Sequence, residues 1–405
     1  MKIIMIGGIF PPEQYDTIID SSLGVIDFAA DTLQKSIIHG LSYHMPNDIS
    51  LLNLPFIGSY PSGYKQLFDP SYDFDFKTAY GSVKGYNVGF CNLSGYKVYS
   101  RYIHLKYHDV LKQVSQSDED VVLFIYSTTI PPVQACVDCK KKNPNVKIVC
   151  LVTDLPEYMS TKKNLIRDIY KKTEAALLKD CYKSVDGWVL LSQHMTERLP
   201  VRENNWVVME GIYNGIIDDN VGGEVSKERY ILYSGTLAER YGIQTLVRAF
   251  HNSKLADVKL YICGAGDSQE MIENYCQKDD RIKYLGQLRR EEVLKLQKGA
   301  TLLVNPRTPE GEFTKYSFPS KTMEYMASGV PVLMYRLQGI PTEYFKHCFV
   351  VENVGEQSLM EALEGVLSKS TEELGRVGRN AREFILSQKN PISQMGKVVE
   401  FIKSL

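Results

Sequence analysis

Short apolar runs recur along this chain. Each is followed by a turn and then by an amphipathic stretch, and this alternation constrains the fold more than any other feature. The runs lie at 2–6 (KIIMI), 120–126 (DVVLFIY), 146–152 (VKIVCLV), 187–191 (GWVLL), 206–209 (WVVM), 230–234 (YILYS), 258–263 (VKLYIC), 301–305 (TLLVN) and 331–334 (PVLM). They are rich in β-branched residues and lack the alternation of half-exposed strands, which is how strands covered on both faces read. Helical periodicity falls between them, at about 22–40, 100–116, 162–183, 242–254, 290–298, 357–367 and 372–387. Strands alternating with helices imply an α/β fold of parallel sheets with right-handed crossovers.

The chain is long enough for two such sheets. Its 405 residues suit two domains of ordinary size. With 44% hydrophobic and 23% charged residues, it can fill two cores, and wholesale disorder is excluded. The stretch 211–227, GIYNGIIDDNVGGEVSK, breaks the rhythm with four glycines, two adjacent aspartates and little periodicity, a linker composition. The expected division is therefore a first Rossmann-like domain at 1–211, a linker at 212–227, a second Rossmann-like domain at 228–387, and a C-terminal helix at 388–405 that packs back on the first domain.

Several function classes drop out. Lys plus Arg number 47 and Asp plus Glu 48, a net charge of -1, so nucleic-acid binding through bulk charge is excluded. No apolar run approaches the roughly 18 residues of a membrane span. The start, MKIIMIGGIF, is stopped by Pro11-Pro12-Glu13 with no small-residue cleavage site, so a buried strand entering a glycine loop is expected rather than a signal peptide. Eight scattered cysteines suit free thiols in a reducing cytosol, and a cytoplasmic protein is expected. Cys136-x-x-Cys139 lacks a second pair at zinc spacing, and His104 and His108, four apart on the expected helix 100–116, lack a third ligand. The region 56–100 is Tyr- and Gly-rich and irregular. Its Asp73-Phe74-Asp75 is spelled like the Asp-x-Asp of metal-dependent sugar transferases, but it lies in FDPSYDFDF, expected to be a loop with solvated carboxylates. No metal site is expected.

The most informative stretch is 305–334, NPRTPEGEFTKYSFPSKTMEYMASGVPVLM. A strand ends in a polar loop that enters a short helix, about 319–328, through Pro319, and Gly329-Val330-Pro331 stops it. Proline is tolerated in a first helical turn because its missing N–H would be unpaired there. The amides from Ser317 through Phe318 and Ser320 to Lys321 would converge at a helix N-terminus, an anion site, and Lys321 adds a full charge. Glu324, three residues on, projects from the same face. A carboxylate beside a phosphate site is suited to the vicinal hydroxyls of a ribose. The bland reading is a capped helix with a solvated Glu324, which leaves the long Gly- and Pro-punctuated approach unexplained.

Two more strands of this half run into glycine turns, Ser234-Gly235-Thr236 and Gly264-Ala265-Gly266-Asp267. Alone, Gly-x-Gly is weak evidence, and the third glycine of a dinucleotide fingerprint is missing, which disfavours a dinucleotide oxidoreductase. Three such turns at carboxyl ends of strands in one domain are stronger, because open α/β sheets bind ligands there. Arg240 follows the first turn and is either a diphosphate ligand or a solvated charge.

These motifs resemble glycosyltransferase family 4, the retaining nucleotide-sugar transferases, in the form found in bacterial surface-polysaccharide enzymes. The likeness runs from about Tyr230 to Leu367 through YSGTLAERYGIQTLVRAF, YICGAGD, RIKYLGQLRREEVLKLQKGATLLVNP and EYMASGVPVL. The resemblance implies a GT-B fold, two Rossmann-like parallel-sheet domains facing across a cleft. It implies transfer of a hexosyl group from a nucleotide diphosphate sugar, UDP favoured, to an acceptor hydroxyl with retention of configuration. The nucleotide sugar is a substrate, and no cofactor is implied. Glu324 carries over as the ribose ligand and the Ser317 and Phe318 amides as diphosphate contacts. Leu285-Gly286-Gln287-Leu288 would lie against the base, with Gly235, Thr236, Gly264 and Gly266 around the donor.

Two departures matter. Tyr316 stands where the family has the first glutamate of Glu-x7-Glu, with Glu310 and Glu312 out of register. Thr236 and Tyr241 stand where a basic pair often grips the diphosphate, so Lys321 with Arg240 or Arg307 would supply the charge. In the first half, Gly7-Gly8 falls where the family's glycine loop faces the donor. Asp154, ending strand 146–152, is a catalytic candidate beside Lys321 and Glu324, or a helix cap. The basic stretch 140–183 is either a solvated helix face or a surface for anionic lipid, which would suit a lipid-linked saccharide acceptor. A non-catalytic GT-B partner subunit and a GT-B sugar-nucleotide epimerase are the alternatives.

Overall fold

The computed structural model describes residues 1–155, 174–215 and 228–405. The rest of the expected linker, 216–227, the middle of the basic stretch and the first part of the expected helix 162–183 lie outside the described residues. The chain divides into two compact units, Met1–Ile212 with Pro391–Leu405, and Tyr213–Asn390.

The first unit contains β1 (Lys2–Gly7), β2 (Ile49–Asn53), β3 (Phe68–Asp69), β4 (Tyr72–Thr78), β5 (Gly81–Asn87), β6 (Phe90–Cys91), β7 (Val121–Tyr126), β8 (Lys147–Val152), β9 (Gly187–Leu190) and β10 (Trp206–Val208). Eight of these form one sheet in the order β10-β9-β8-β7-β1-β2-β5-β4, and β3 pairs with β6. The sheet is parallel except at its edge, where β4 runs antiparallel to β5. Every residue of β7 is buried, as its unbroken apolar run requires. Its helices among the described residues include α1 (Tyr15–Ser21), α2 (Phe28–His44), α3 (Lys97–Lys106), α4 (Asp109–Val114) and α5 (Ile130–Lys142), and 174–181 is helical as well.

Three sequence expectations are corrected here. The helix expected at 22–40 starts at Phe28, because the Asp27 carboxylate accepts the Ala30 amide at 3.0 Å and caps it. The helix expected at 100–116 is two helices, broken where His108 takes an extended conformation and caps α4 by accepting the Val110 amide. His104 instead meets the Gly89 carbonyl, and His108 packs on Tyr86, so the two do not share a helix face. The loop expected around Asp73 and Asp75 is strand β4. Phe74 and Phe76 point inward while Asp73 and Asp75 face solvent, and Asp75 accepts from Ser82. An antiparallel edge strand with one wet face alternates, and its acids hid it among turn-like residues.

The second unit contains β11 (Tyr230–Ser234), β12 (Lys259–Cys263), β13 (Ile282–Tyr284), β14 (Leu302–Asn305), β15 (Val332–Tyr335) and β16 (Phe349–Val351), all parallel, in the order β13-β12-β11-β14-β15-β16. Its helices are α6 (Ile243–His251), α7 (Gln269–Lys278), α8 (Arg290–Gly299), α9 (Ser320–Ala327), α10 (Glu356–Leu367) and α11 (Thr371–Gln388). This is the doubly wound order, and the winding reverses between β11 and β14, where such sheets open a crevice at their carboxyl edge. Arg281 locks the far side. It lies over the Phe250 ring, forks onto Asp279 at 2.7 and 2.9 Å, and donates to the His251 and Leu255 carbonyls.

The last helix, α12 (Pro391–Ser404), belongs to the first unit. Met395, Val398 and Ile402 are buried in its core, and Gly40 of α2 lets α12 approach: a side chain there would land on the Pro391 carbonyl and Met395. No helix among the described residues is long and apolar enough to cross a membrane.

Candidate functional site

The crevice between β11 and β14 is bounded by two loops, 235–242 and 306–319. The second passes a short 3-10 turn, Glu312–Thr314, and enters α9 with Pro319 as its N-cap. Helix α9 buries Met323, Tyr325, Met326 and Ala327. The Tyr325 hydroxyl accepts the Ser234 amide at 2.8 Å and lies 3.1 Å from the Ser234 carbonyl, pinning the end of β11 to the helix. In front of α9, the Ser317 and Phe318 amides donate to no acceptor among the described residues. Open N–H groups at the positive end of a helix are the kind of surface that suits an anion.

Lys321 and Glu324 both reach this crevice. The Lys321 stem passes over Gly235, where a Cβ would come 3.0 Å from its Cε. Its Nζ lies 3.8 Å from Glu324 Oε1. The Glu324 side chain is 18% exposed. Gln297 of α8 donates to Oε1 at 2.7 Å, and Arg290 approaches Oε2 at 3.1 Å. Burial pushes this carboxyl up, but Lys321, Gln297 and Arg290 together outweigh it and hold it below the usual glutamate range. The carboxylate is thus ionised and aimed, ready to accept hydrogen bonds from hydroxyl groups. Gln297 went unnoticed in the sequence. It is 1% exposed and also donates to Ser234 Oγ at 3.2 Å, so it ties β11, α8 and α9 together. A glutamine in an amphipathic helix carries no signal of such a role.

The glycine turns are stitched to one another. Gly235 N donates to Cys263 O, Leu237 N to Ala265 O, and Gly264 N to Gly286 O, each at 2.9 Å. Gly264 has a φ of +136°, and a side chain there would fall on the Gly235 carbonyl; at Gly266 it would fall on Leu237 backbone. Both glycines are therefore required where loop packs against loop. Gly286 has a φ of +73° with open space around it, and Leu288 is half-buried against the core. Thr236 is exposed and its carbonyl accepts the Tyr233 hydroxyl at 2.7 Å. Tyr316 is 4% exposed, and its hydroxyl lies 3.4 Å from Glu312 Oε1, so it supports the loop from inside.

The two candidate arginines differ. Arg240 is exposed and lies over the Tyr241 ring, 4.9 Å from its centroid. Arg307 is 9% exposed, packed between Phe313 and the same Tyr241, and donates to Ser317 Oγ at 3.0 Å.

In the first unit, Gly8 donates its amide to Gln34 Oε1 at 2.7 Å, and Phe10 donates to Asp31 Oδ1 at 2.8 Å. A side chain at Gly8 would land on Phe56, and one at Gly7 on the Gln34 side chain. The Gly7-Gly8 turn is thus packed closely within its own unit. Asp154 follows β8. The residue is exposed, yet partial burial of its carboxyl and the nearby Asp27 push its pKa up.

Comparison with known proteins bears on the second unit first. Residues 217–384 match the family model described as glycosyl transferases group 1. No curated protein matches the chain. Among solved structures, sucrose-phosphate synthase from Thermosynechococcus elongatus superposes with a TM-score of 0.61 at 14% identity over 100% of both chains. Anabaena HepE, solved in complex with UDP, gives 0.60 at 13% over 100% of both chains. A lipopolysaccharide outer core galactosyltransferase gives 0.62 at 15% over 100% of this chain and 99% of that one. Likeness at these identities establishes the fold: the chain has the GT-B fold of two Rossmann-like domains, and residues 217–384 within it are similar to the group 1 glycosyl transferases.

Proposed function

We propose that the chain is a glycosyltransferase that moves a hexosyl group from a nucleotide diphosphate sugar, with UDP as the favoured carrier, to the hydroxyl of a saccharide or lipid-linked saccharide, retaining configuration. The observation that carries this reading is the pairing of an ionised Glu324, held by Gln297, with open amides and Lys321 at the same helix end. Glu324 accepts the two ribose hydroxyls. The amides of Ser317 and Phe318 and the Lys321 ammonium meet the diphosphate.

The chemistry follows from that placement. The bond from the anomeric carbon to the distal phosphate oxygen breaks, and negative charge builds on the departing diphosphate. Donors fixed before the reaction stabilise that charge, and a term of this kind is usually the largest in catalysis. The acceptor oxygen bonds to the anomeric carbon from the face the phosphate leaves, and its proton passes to a phosphate oxygen. In this reading protein cations carry the charge that a metal would otherwise carry, and no cofactor takes part.

Two observations support the wider setting. The described parts of the basic stretch include Lys140, Lys141, Lys142 and Lys147, and one similar structure is of an enzyme named for lipopolysaccharide. We place the enzyme at the cytoplasmic face of a membrane, acting in surface-polysaccharide synthesis. Tyr316, buried where a carboxylate would stand, favours a second reading, a non-catalytic partner subunit.

The test is release of nucleoside diphosphate from a panel of sugar nucleotides, without and with saccharide acceptors. Slow hydrolysis of one donor, accelerated by an acceptor and lost in Lys321→Ala, is expected. Binding with no turnover under any condition points to the partner subunit. Conversion of the donor to another sugar nucleotide without acceptor points to an epimerase.

A further inference from the structure

Two arginines of the second unit lie on aromatic rings away from open solvent, Arg281 part-buried and Arg307 buried, and among the described residues only Arg281 has a carboxylate partner. Arg281 lies over Phe250 and has the Asp279 carboxylate and three backbone carbonyls as partners. Arg307 lies 4.6 Å from the Phe313 centroid and 5.5 Å from that of Tyr241. Its one side-chain hydrogen bond among the described residues is to Ser317 Oγ. Its Nε is fully buried and donates to nothing, and no carboxylate among the described residues lies within ion-pair distance. Aromatic faces offset part of the cost of burying a cation, but a buried charge normally carries a counter-charge.

Its neighbours sharpen the mismatch. Arg240 stacks on the same Tyr241, and burial first, with this second positive charge adding to it, pushes the Arg307 pKa down. Ser317, which holds Arg307, also presents one of the open amides in front of α9. Positive potential from a guanidinium, two amides, a helix end and Lys321 therefore converges in front of α9.

Order along the chain sets which part of a ligand each group meets. Glu324 lies in the second turn of α9, Lys321 in the first, and Ser317 before the helix begins. At 1.5 Å of rise per residue, a nucleotide anchored by its ribose at Glu324 runs its phosphates outward past Lys321 toward Ser317 and Arg307. We propose that Arg307 supplies, from the loop after β14, the charge that binds the distal phosphate of a nucleoside diphosphate. This rests on the donor-site reading above and deepens it: the site selects diphosphates over monophosphates. The rings and Ser317 hold the guanidinium flat and immobile, which suits a forked contact to phosphate oxygens.

The test is calorimetric titration with uridine, UMP and UDP of the unaltered protein and of Arg307→Met, Arg307→Lys and Arg240→Gln. Arg307→Met is expected to weaken UDP by about tenfold or more, the size of one charge-assisted hydrogen bond, while UMP and uridine move less than about threefold. Arg307→Lys keeps the charge without the fork and is expected to lose part of the preference for UDP over UMP, which keeps the test valid should the Met variant not fold. Thermal melting separates this role from that of a structural strut: the ligand-free Met variant melts no lower than the parent, while its UDP-induced rise shrinks. Unchanged UDP affinity in both Arg307 variants, equal weakening of all three ligands, or a UDP-specific loss in Arg240→Gln instead overturns the proposal. Failure of the unaltered protein to bind UDP, GDP or dTDP overturns the donor-site reading itself.

Discussion

The two units wind their sheets in the same way. Each reverses beside its first strand, between β1 and β7 in one and between β11 and β14 in the other. The loops at the two reversals are put to opposite uses. In the first unit the amides of Gly8 and Phe10 are already taken by Gln34 and Asp31, Phe56 covers the glycine, and the charged groups nearby include Asp27, Asp31 and Asp154. In the second the amides of Ser317 and Phe318 donate to nothing among the described residues, and Lys321, Arg240 and Arg307 stand with Glu324 around them. Topology decides where a crevice can form. Which amides the local side chains occupy decides whether an anion can enter it.

The largest effect expected from this contrast is on turnover. Lys321→Ala should lower kcat/KM for a sugar nucleotide by about 10²–10³, the loss seen when one preorganised donor to a developing charge is removed, and Glu324→Ala by about 10–10², the size of a hydrogen bond to a charged group. Glu324→Ala should act chiefly through the nucleoside and Lys321→Ala through the phosphates. Turnover unaffected by both would break the contrast.

Next in size is Gly8→Ala. Its methyl would meet the Phe56 ring and the Leu54 carbonyl, at a cost of about 3 kcal/mol, the upper end for overpacking, in denaturant unfolding. A loss of UDP affinity with unfolding unchanged would show instead that the first loop is open to ligand.

Asp279 sharpens the comparison of the two arginines. Hydrogen bonds from Arg281, outweighing burial, hold its carboxyl down to about 2. A depressed carboxyl stabilises the fold above its unfolded pKa of about 4, and that contribution disappears as pH falls from about 4 to about 2. Asp279→Asn should therefore cost about 2 kcal/mol at neutral pH and nearly nothing near pH 2. Equal cost at both pH values would mean that Arg281 does not act through charge.

The smallest effect is expected from Gln297→Ala. Losing its hydrogen bond raises the Glu324 pKa toward the ordinary range and weakens uridine by about tenfold or less. An unchanged uridine affinity would show that Gln297 does not position Glu324.

Much of the fold was legible because continuous apolar runs mark doubly covered strands; β1, β7, β8, β11 and β12 fall within a residue or so of their expected bounds. The region 56–100 was not, because β4 and β5 are half-exposed strands whose outward residues are Asp, Ser and Lys. The short helix and its Glu324 stood out because glycines and prolines punctuate the approach. The meaning of the glycines did not: Gly264 and Gly266 answer to neighbouring backbone that a linear reading cannot see. Nor could sequence choose between Arg240 and Arg307, because burial and the absence of a carboxylate partner are properties of packing.

The central claim is that a diphosphate docks where Ser317 and Phe318 open α9. The most direct measurement is a crystal structure of the protein soaked with UDP. The account predicts the ribose hydroxyls on Glu324 and the distal phosphate between the Phe318 amide and Arg307. Nucleotide density elsewhere, or an empty crevice at saturating UDP, would contradict it.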